Sequence, residues 1–514
     1  MESSPQGCFD LTQPGANHIL CRDPKLPRPG SSPLQPKGTP QVKPSLTAHH
    51  PIRFVALVSL MLSQACIDQT LTLLDDDLAA GRYDADTREA VSAQDDLGES
   101  RQMMSLARRI PGFGGFFFEP DVDLIVVAMT RGNTTGFPAA RLAVSATLAP
   151  AFDAPPQLVE RVVKFSFIEL ARHRARLLPR LFDIPGVGSL EVDEVSNRIK
   201  VGLLDQSARG RVLDLAFELA VPLEMISFWK TWPVEFATGS AGHARTAADA
   251  HALAGARPTL QDRVSLPDAG LRGGYQVVGE PGSNKECTLG FVAKLTQEPE
   301  RPNAIVPDEK LGFVSASHCS LIESVTDWGV WGQPTRQDEV GSEEVDGGSH
   351  ADATFVAFHD SLFDSPRLGK LGSLGRPKER VLGVRPGSLV IDQNFPTITL
   401  AGKMDPVANM RVDKVGRTSG WTSGRTTGTC VNHSWDLWPF CVYQGDFYVD
   451  HGDSGGPVFA YDPGAVKIVG IVIGVSKVDG QFTQAIYSSI GKIEQNLGGT
   501  LTVWDDWCGT GGNP

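Results

Sequence analysis

The string Gly-Asp-Ser-Gly-Gly-Pro at positions 452–457 constrains this chain more than any other stretch. Glycine at position 452 permits a backbone turn in which the amides of Gly452 and Ser454 point at one spot. Two converging N–H donors stabilise the oxyanion of a tetrahedral intermediate. The small residues after Ser454 leave its hydroxyl uncovered. The string therefore predicts a reactive serine on a tight turn, in preference to a glycine-rich hairpin with an incidental serine.

A serine hydroxyl needs an adjacent base at neutral pH, and His318 is the best candidate. It ends an apolar β candidate and precedes a cysteine that can fix its position. A carboxylate must then orient the imidazole and stabilise its charged form. Asp352 fits this role because it opens a second β candidate, and Asp346 is the alternative.

These motifs resemble those of trypsin/chymotrypsin-like serine proteases. The string Ser-Ala-Ser-His-Cys (315–319) is similar to the family's Thr-Ala-x-His-Cys element, and Asp-Ala-Thr (352–354) stands where Asp-Ile-Ala is usual. Cys-Thr-Leu-Gly-Phe-Val (287–292) and Gly-Arg-Thr-Ser-Gly (416–420) resemble the bacterial branch, the streptogrisin and α-lytic-protease type. The resemblance covers roughly residues 270–495.

The resemblance implies an all-β, chymotrypsin-like protease domain made of two six-stranded antiparallel β-barrels. It implies a serine endopeptidase in which His318, Asp352 and Ser454 are catalytic, and in which the Gly452 and Ser454 amides form the oxyanion hole. An esterase using the same site has the same chemistry. The other alternative is a non-catalytic relative whose β domain binds protein.

Further assignments follow from the same resemblance. Cys287 is expected to pair with Cys319, and Asp453 to form an ion pair with Arg417, so that activation needs no freshly cut N-terminus. The walls of the specificity pocket are expected to come from four residues: Tyr448, Ile473, Gly474 and Val475. The branched side chain of Val475 should narrow this pocket and favour small or medium apolar side chains.

Composition and cysteine usage bound the partners and the compartment. The formal net charge of -13 argues against a general nucleic-acid binder. The eight cysteines include no Cys-x-x-Cys pair, so no zinc ribbon, metal or cofactor is predicted. Cys430 and Cys441 bracket ten residues and predict a local disulfide, hence an oxidising compartment. The partners of the remaining cysteines stay open; these are Cys8, Cys21, Cys66 and Cys508.

A chain of 514 residues is too long for one ordinary core, and its composition changes along its length. We expect a disordered Pro-rich leader, a signal-peptide-like segment, an α/β domain, a linker, the protease domain and a tail, in that order: 1–51, 52–66, 67–237, 238–272, 273–500 and 501–514. The signal-peptide-like segment at 52–66 predicts a secreted or periplasmic protein, with lipid attachment at Cys66 as an alternative. The sequence contains no apolar run of 18 residues or more, so we predict no stable membrane span.

The α/β domain at 67–237 has the size and placement of the pro-region that the bacterial branch carries. In that case the chain is a zymogen whose partners are protein or peptide substrates and its own pro-region, and cleavage is expected within 238–272. A retained regulatory or targeting domain is the alternative.

Overall fold

The computed structural model describes fifteen segments of the chain: 99–120, 124–149, 156–237, 239–240, 259–261, 271–279, 285–297, 308–320, 326, 329–333, 339–346, 351–359, 373–434, 441–462 and 465–503. The expected leader, the signal-like segment and the four cysteines whose partners stay open lie outside these residues.

Helices concentrate in the N-terminal region (residues 99–230), and one more lies near the C-terminal end. Their bounds are α1 (Arg101–Arg109), α2 (Phe137–Leu148), α3 (Phe167–Leu181), α4 (Arg209–Glu218) and α5 (Ile490–Leu497). The side chain of Ser166 caps α3 in a reciprocal capping box with Glu169. Ser489 caps the start of α5, and Gly498, with φ of 64°, ends it.

The N-terminal region contributes six of the strands. They are β1 (Phe113–Phe118), β2 (Leu124–Thr130), β3 (Gln157–Val163), β4 (Val187–Asp193), β5 (Arg198–Leu203) and β6 (Ile226–Lys230). β1, β2 and β3 form a three-stranded sheet, with β1 antiparallel and β3 parallel to β2. The expected α/β character of this region is therefore seen in its described part.

Two short strands lie in the connection, which we call the cleft segment (residues 234–240). They are β7 (Val234–Phe236) and β8 (Gly239–Ser240). The β-rich region (residues 271–503) follows with β9 (Gln276–Val278), β10 (Lys285–Thr288), β11 (Phe291–Gln297), β12 (Asp308–Ala316), β13 (Val330–Gly332), β14 (Glu339–Asp346), β15 (Ala353–Phe358), β16 (Ser373–Gly375), β17 (Arg380–Leu382), β18 (Thr397–Lys403), β19 (Arg411–Gly416), β20 (Gly420–His433), β21 (Val442–Gly445), β22 (Pro457–Asp462), β23 (Ala465–Val478), β24 (Gln481–Ser489) and β25 (Gly499–Val503).

The strand pairings give two large sheets instead of two separate six-stranded barrels. One has nine strands in the order β25-β11-β12-β15-β14-β13-β9-β10-β8, and the other has thirteen, built around β23, β22, β19 and β20. Strands from outside the expected protease domain join both sheets: β8 extends the first, while β4, β5, β6 and β7 extend the second. Without them the two sheets would still have eight and nine strands. Two closed barrels therefore stay a prediction. β25 also pairs with β11 and carries the sheet past the expected boundary at residue 500.

Two apolar clusters fill the interior. One lies in the β-rich region apart from Leu260 and a partly buried Val234, and it contains residues such as Phe313, Phe355 and Ile471. The other is continuous from the N-terminal region into the second sheet, joining Phe167 and Leu190 to Tyr443 and Val472. The region between the two sheets is where the candidate site lies.

Candidate active site

The structure brings the three predicted catalytic side chains together. Nε2 of His318 lies 2.8 Å from Oγ of Ser454, and Nδ1 of the same ring lies 2.5 Å from Oδ2 of Asp352. All three residues are buried, with exposures of 1%, 0% and 4%. An imidazole that contacts a hydroxyl on one side and a carboxylate on the other can accept the serine proton while its charged form is stabilised.

The backbone amide of His318 also holds the Asp352 carboxylate. The amide of His318 donates to its Oδ1 at 2.9 Å, so one carboxylate contacts both the backbone and the ring of the same histidine. Asp352 has φ of 46°, which is unusual for a residue other than glycine. The alternative carboxylate, Asp346, accepts a hydrogen bond from the Ser317 hydroxyl at 2.8 Å instead. The geometry therefore favours Asp352 over Asp346 as the partner of the ring.

The turn that presents Ser454 is tied to β10. The amide of Thr288 donates to the Ser454 carbonyl at 2.8 Å, and its hydroxyl donates to the Gly452 carbonyl at 2.8 Å. Gly452 has φ of 96°, and a Cβ there would come within 2.5 Å of both the Arg417 guanidinium and the Thr418 hydroxyl. Position 452 therefore requires glycine both for its backbone conformation and for space.

Asp453 is paired with Lys414, and the expected pairing with Arg417 was wrong. Nζ of Lys414 lies 2.9 Å from Oδ2 of Asp453, and both side chains are fully buried. The amides of Thr418 and Ser419 donate to Oδ1 of Asp453 at 2.9 and 3.1 Å. Burial lowers the pKa of Lys414, and the Asp453 carboxylate opposes this shift.

Arg417 is directed away from Asp453 because two acceptors on neighbouring strands hold its guanidinium. Its Nη2 lies 2.7 Å from Oε2 of Glu286, and its Nε donates to Oε1 of Gln276 at 2.8 Å. The amine that balances Asp453 thus comes from within β19, as an internal side chain. Activation without a freshly cut N-terminus stays a prediction.

Both predicted disulfides are present. Cys287 bonds to Cys319 and joins β10 to the turn that carries His318. Cys430 bonds to Cys441 and closes the hairpin of β20 and β21. These two pairings are confirmed.

A strand from outside the β-rich region lies against the edge of β23, beside the catalytic residues. β7 pairs with it in antiparallel register, with Phe236 opposite Gly474, Glu235 opposite Val475 and Val234 opposite Ser476. The amide of Ala237 then donates to the carbonyl of Ile473 at 3.3 Å. The Phe236 ring lies over the His318 imidazole, with the ring centroids 4.3 Å apart.

The carbonyl of Ala237 lies at the predicted oxyanion site. It accepts a hydrogen bond from the Gly452 amide at 2.5 Å. The second predicted donor, the Ser454 amide, stays a prediction, because Gly452 gives the only hydrogen bond to this carbonyl among the described contacts. After Ala237 the chain passes to β8, whose residues Gly239 and Ser240 pair with β10 on the other side of the serine turn. The cleft segment therefore pairs with both sheets, with β7 on the second and β8 on the first.

The structure places the four expected pocket residues in two groups. Ile473, Gly474 and Val475 are adjacent on β23 and are the residues against which the cleft segment pairs. Tyr448 lies in the loop before the serine turn, where its hydroxyl donates to Asp450 at 3.3 Å and its ring packs near Phe482. Burial raises the pKa of Tyr448. The pocket itself stays a prediction.

Sequence reasoning missed two parts of this site. Lys414 lies three residues before Arg417, in a strand whose residues from Val412 to Gly416 are all buried. A lysine in an otherwise buried strand is a signal that a carboxylate lies nearby. The cleft segment left a weaker signal, since Val-Glu-Phe-Ala (234–237) shows only a short alternation of apolar and polar residues.

Within the described residues, none of the helices is long and apolar enough to cross a membrane, and no group of three or more His, Cys, Asp or Glu side chains could hold a metal ion.

Comparison with known proteins gives partial likenesses. No protein-family model matches the chain, and no curated protein matches it in sequence. Part of the chain is similar in structure to bacterial chymotrypsin-like serine proteases. One is a glutamic acid specific serine protease, at 21% identity and a TM-score of 0.33, covering 46% of this chain and 100% of that one.

Protease A of Thermobifida fusca gives 16% identity and a TM-score of 0.32, covering 46% of this chain and 100% of that one. A Nocardiopsis protease gives 17% identity and a TM-score of 0.32, covering 45% of this chain and 99% of that one. Because these identities and TM-scores are low, the functional assignment depends on the chain's own geometry.

Proposed function

We propose that this protein is a serine endopeptidase that forms an acyl-enzyme on Ser454. The observation that carries the proposal is the contact of one buried imidazole with both the Ser454 hydroxyl and the Asp352 carboxylate. Ser454 Oγ attacks a peptide carbonyl carbon while His318 Nε2 takes its proton. The imidazolium returns that proton to the leaving amine, and water then hydrolyses the acyl-enzyme by the same route in reverse.

We further propose that the chain is a proprotein whose first substrate is its own Ala237–Thr238 bond. Support comes from the cleft segment. Its strand β7 precedes Ala237 and pairs with β23, and its strand β8 follows Ala237 and pairs with β10. The Ala237 carbonyl accepts a hydrogen bond from Gly452, as the carbonyl under attack requires. Cleavage at this bond places the new N-terminus at Thr238, at the boundary between the expected pro-region and the linker.

The same segment supports a preference for a small residue before the scissile bond. Ala237 is fully buried and belongs to the apolar cluster that contains Val475. A methyl group therefore fills the position that the substrate's side chain would take. This agrees with the narrowing that Val475 was expected to cause.

Secretion belongs to the same proposal. Two disulfides fit an oxidising compartment and not a reducing cytosol.

An active-site phosphonate tests the proposal directly. It should label the wild-type protein and fail to label Ser454→Ala, because the reagent needs the activated hydroxyl. The peptide Val-Glu-Phe-Ala joined to a fluorescent leaving group should be hydrolysed by the wild type and, in Ser454→Ala, lose at least about 10⁴-fold in kcat. A folded wild-type protein that neither takes the label nor cleaves the peptide would favour the non-catalytic alternative.

A further inference from the structure

We propose that the cleft selects an acidic side chain at the third position before the scissile bond, through Lys477 and His451. This deepens the proposed function, on which it rests, by naming a class of substrate: peptides with Glu or Asp at that position and a small residue at the cleaved bond. The cleft segment carries Glu235 at the third position and Ala237 at the first.

The register of β7 sets which way each substrate side chain points. Glu235 is opposite Val475 in the antiparallel pair, and its side chain is 51% exposed. Its neighbours alternate with it: Phe236 lies over the catalytic imidazole and Val234 packs against an apolar cluster. The third position is therefore the one where a charged side chain leaves the apolar cleft and meets its rim.

The rim offers an ammonium group and an imidazole to this carboxylate. Oε1 of Glu235 lies 3.4 Å from Nε2 of His451 and 3.9 Å from Nζ of Lys477. Lys477 belongs to β23 and His451 to the serine turn, so the two approach the carboxylate from different elements. Both are fixed parts of the cleft, which makes them present for any substrate that takes the place of β7.

Asp450 holds Lys477 in position. Nζ of Lys477 donates to Oδ1 of Asp450 at 2.8 Å, and this lysine is 19% exposed. Partial burial raises the pKa of Asp450, but hydrogen bonds from Lys477 and from the His451 amide outweigh it and leave the pKa lowered. Asp450 is therefore ionised and shares the lysine with Glu235. The lysine is orientated before a substrate binds, which reduces the entropy lost on binding.

The size of the preference for Glu over Gln follows from the partial exposure of the Glu235 ion pairs. Partly exposed ion pairs are worth little, so Glu at the third position should exceed Gln by roughly two- to fivefold in kcat/KM. A Lys at that position faces the Lys477 ammonium, and the Lys peptide should be the poorest of the three. The selectivity is expected to weaken as salt is added.

Three peptides that differ only at this position test the proposal: Val-Glu-Phe-Ala, Val-Gln-Phe-Ala and Val-Lys-Phe-Ala, each with the same fluorescent leaving group. Wild type should prefer them in that order. Lys477→Glu should reverse the order of the Glu and Lys peptides. The matched control is Lys467→Glu, the same charge change on the same strand, where Nζ donates to the Ala401 carbonyl. It should keep the wild-type order.

The outcomes separate the two claims. Equal hydrolysis of all three peptides, or the same reversal in Lys467→Glu, overturns the acidic preference and leaves the peptidase assignment intact. Failure to hydrolyse any of them overturns the peptidase assignment, and a second experiment then decides the subsite without catalysis.

That second experiment uses the uncut Ser454→Ala chain and follows hydrogen exchange at the amides of β7. Glu235→Lys should speed exchange there by about fivefold or more, and Glu235→Gln should do so less. Adding Lys477→Glu to Glu235→Lys should restore protection, because the pair is then reversed in charge. Unchanged exchange in Glu235→Lys, or no restoration in the double variant, contradicts the subsite.

Discussion

Two of the contacts between the part of the chain before residue 240 and the β-rich region differ in chemistry. At the cleft, β7 and Ala237 are held mainly by backbone hydrogen bonds, with Ala237 buried and uncharged. At the hairpin of β20 and β21, β4 extends the sheet, pairing Leu190 with Asn432. There the contact is dense in buried charge.

Arg174 is the centre of the hairpin contact. It is fully buried on α3, with Nη1 3.0 Å from Oε1 of Glu99 and Nη2 3.3 Å from the Cys430 carbonyl. Glu194 accepts hydrogen bonds from the Thr429 hydroxyl at 3.0 and 2.8 Å. Burial raises the pKa of Glu194 well above its usual value and also raises that of Glu99.

The difference shows which contact should respond to cleavage of a peptide bond and which should respond to pH or to the loss of a charge. We propose that the cleft contact presents the Ala237–Thr238 bond to Ser454, in which case cutting that one bond changes the contact permanently. The hairpin contact depends on ionisable groups removed from water, so pH and single charge deletions should change it. Three predictions test this contrast, from the largest expected effect to the smallest.

Arg174→Ala should destabilise the Ser454→Ala chain by about 3–5 kcal/mol, because it leaves Glu99 buried without its cation. Denaturant unfolding measures the change. Arg180→Ala is the matched control, since Arg180 lies on the same helix and its pair with Glu218 is about half exposed. It should cost less than about 1 kcal/mol. Similar losses in the two variants would mean that the hairpin contact does not depend on buried charge.

Glu191 gives the hairpin contact a pH dependence. Burial raises its pKa to about 7 from 4.5, with Lys200 opposing the shift. The folded protein therefore binds more protons than the unfolded chain between these values, and this stabilisation is lost as pH rises from about 4.5 to about 7. Relative to Glu191→Gln, wild type should lose at most about 3 kcal/mol of unfolding free energy across that window.

His433 on β20 acts in the opposite direction, so the comparison must be made between variants. Burial lowers its pKa to about 4 from 6.5, and stability from this group rises with pH in that range. Glu191→Gln should therefore show a rising stability between about pH 4 and 6.5, and His433→Gln a falling one. Parallel pH profiles for these two variants and the wild type would contradict the assignment.

Ala237→Arg should slow self-cleavage by roughly 100-fold, since a long cation replaces a buried methyl group. The rate is read from the appearance of the β-rich fragment on a gel. Ala237→Gly is the control, because it removes volume without adding charge, and it should slow the reaction far less. Unfolding of the Ser454→Ala chain should change less with Ala237→Arg than with Arg174→Ala. A cleft variant that destabilises the chain more than the hairpin variant would reverse the contrast.

The site could be predicted from sequence where a short string fixes both backbone and chemistry. The glycine at 452 and the serine at 454 belong to one turn, and both disulfides follow from cysteine placement or resemblance. Apolar periodicity in the sequence predicts the hairpin of β4 and β5 and the helix α5. The same periodicity predicts one helical segment over Gln157–Leu178, but β3 occupies its start, with three residues between β3 and α3.

The rest depends on contacts distant in sequence. Lys414 and Arg417 both carry cationic side chains, and the positions of Glu286 and Gln276 determine which one reaches Asp453. β7 has three residues, and its partner strand lies more than two hundred residues away in sequence. The enlargement of both sheets has the same cause, since nothing local in β4 or β8 identifies the strand with which it pairs.

The central claim is that the cleft segment lies in the catalytic site as a substrate. Intact mass and N-terminal sequencing of wild type beside Ser454→Ala test it most directly. We predict a wild-type fragment that begins at Thr238 and a Ser454→Ala chain that remains uncut at that bond. A wild-type protein that stays intact there, or the same cut in both proteins, would contradict it.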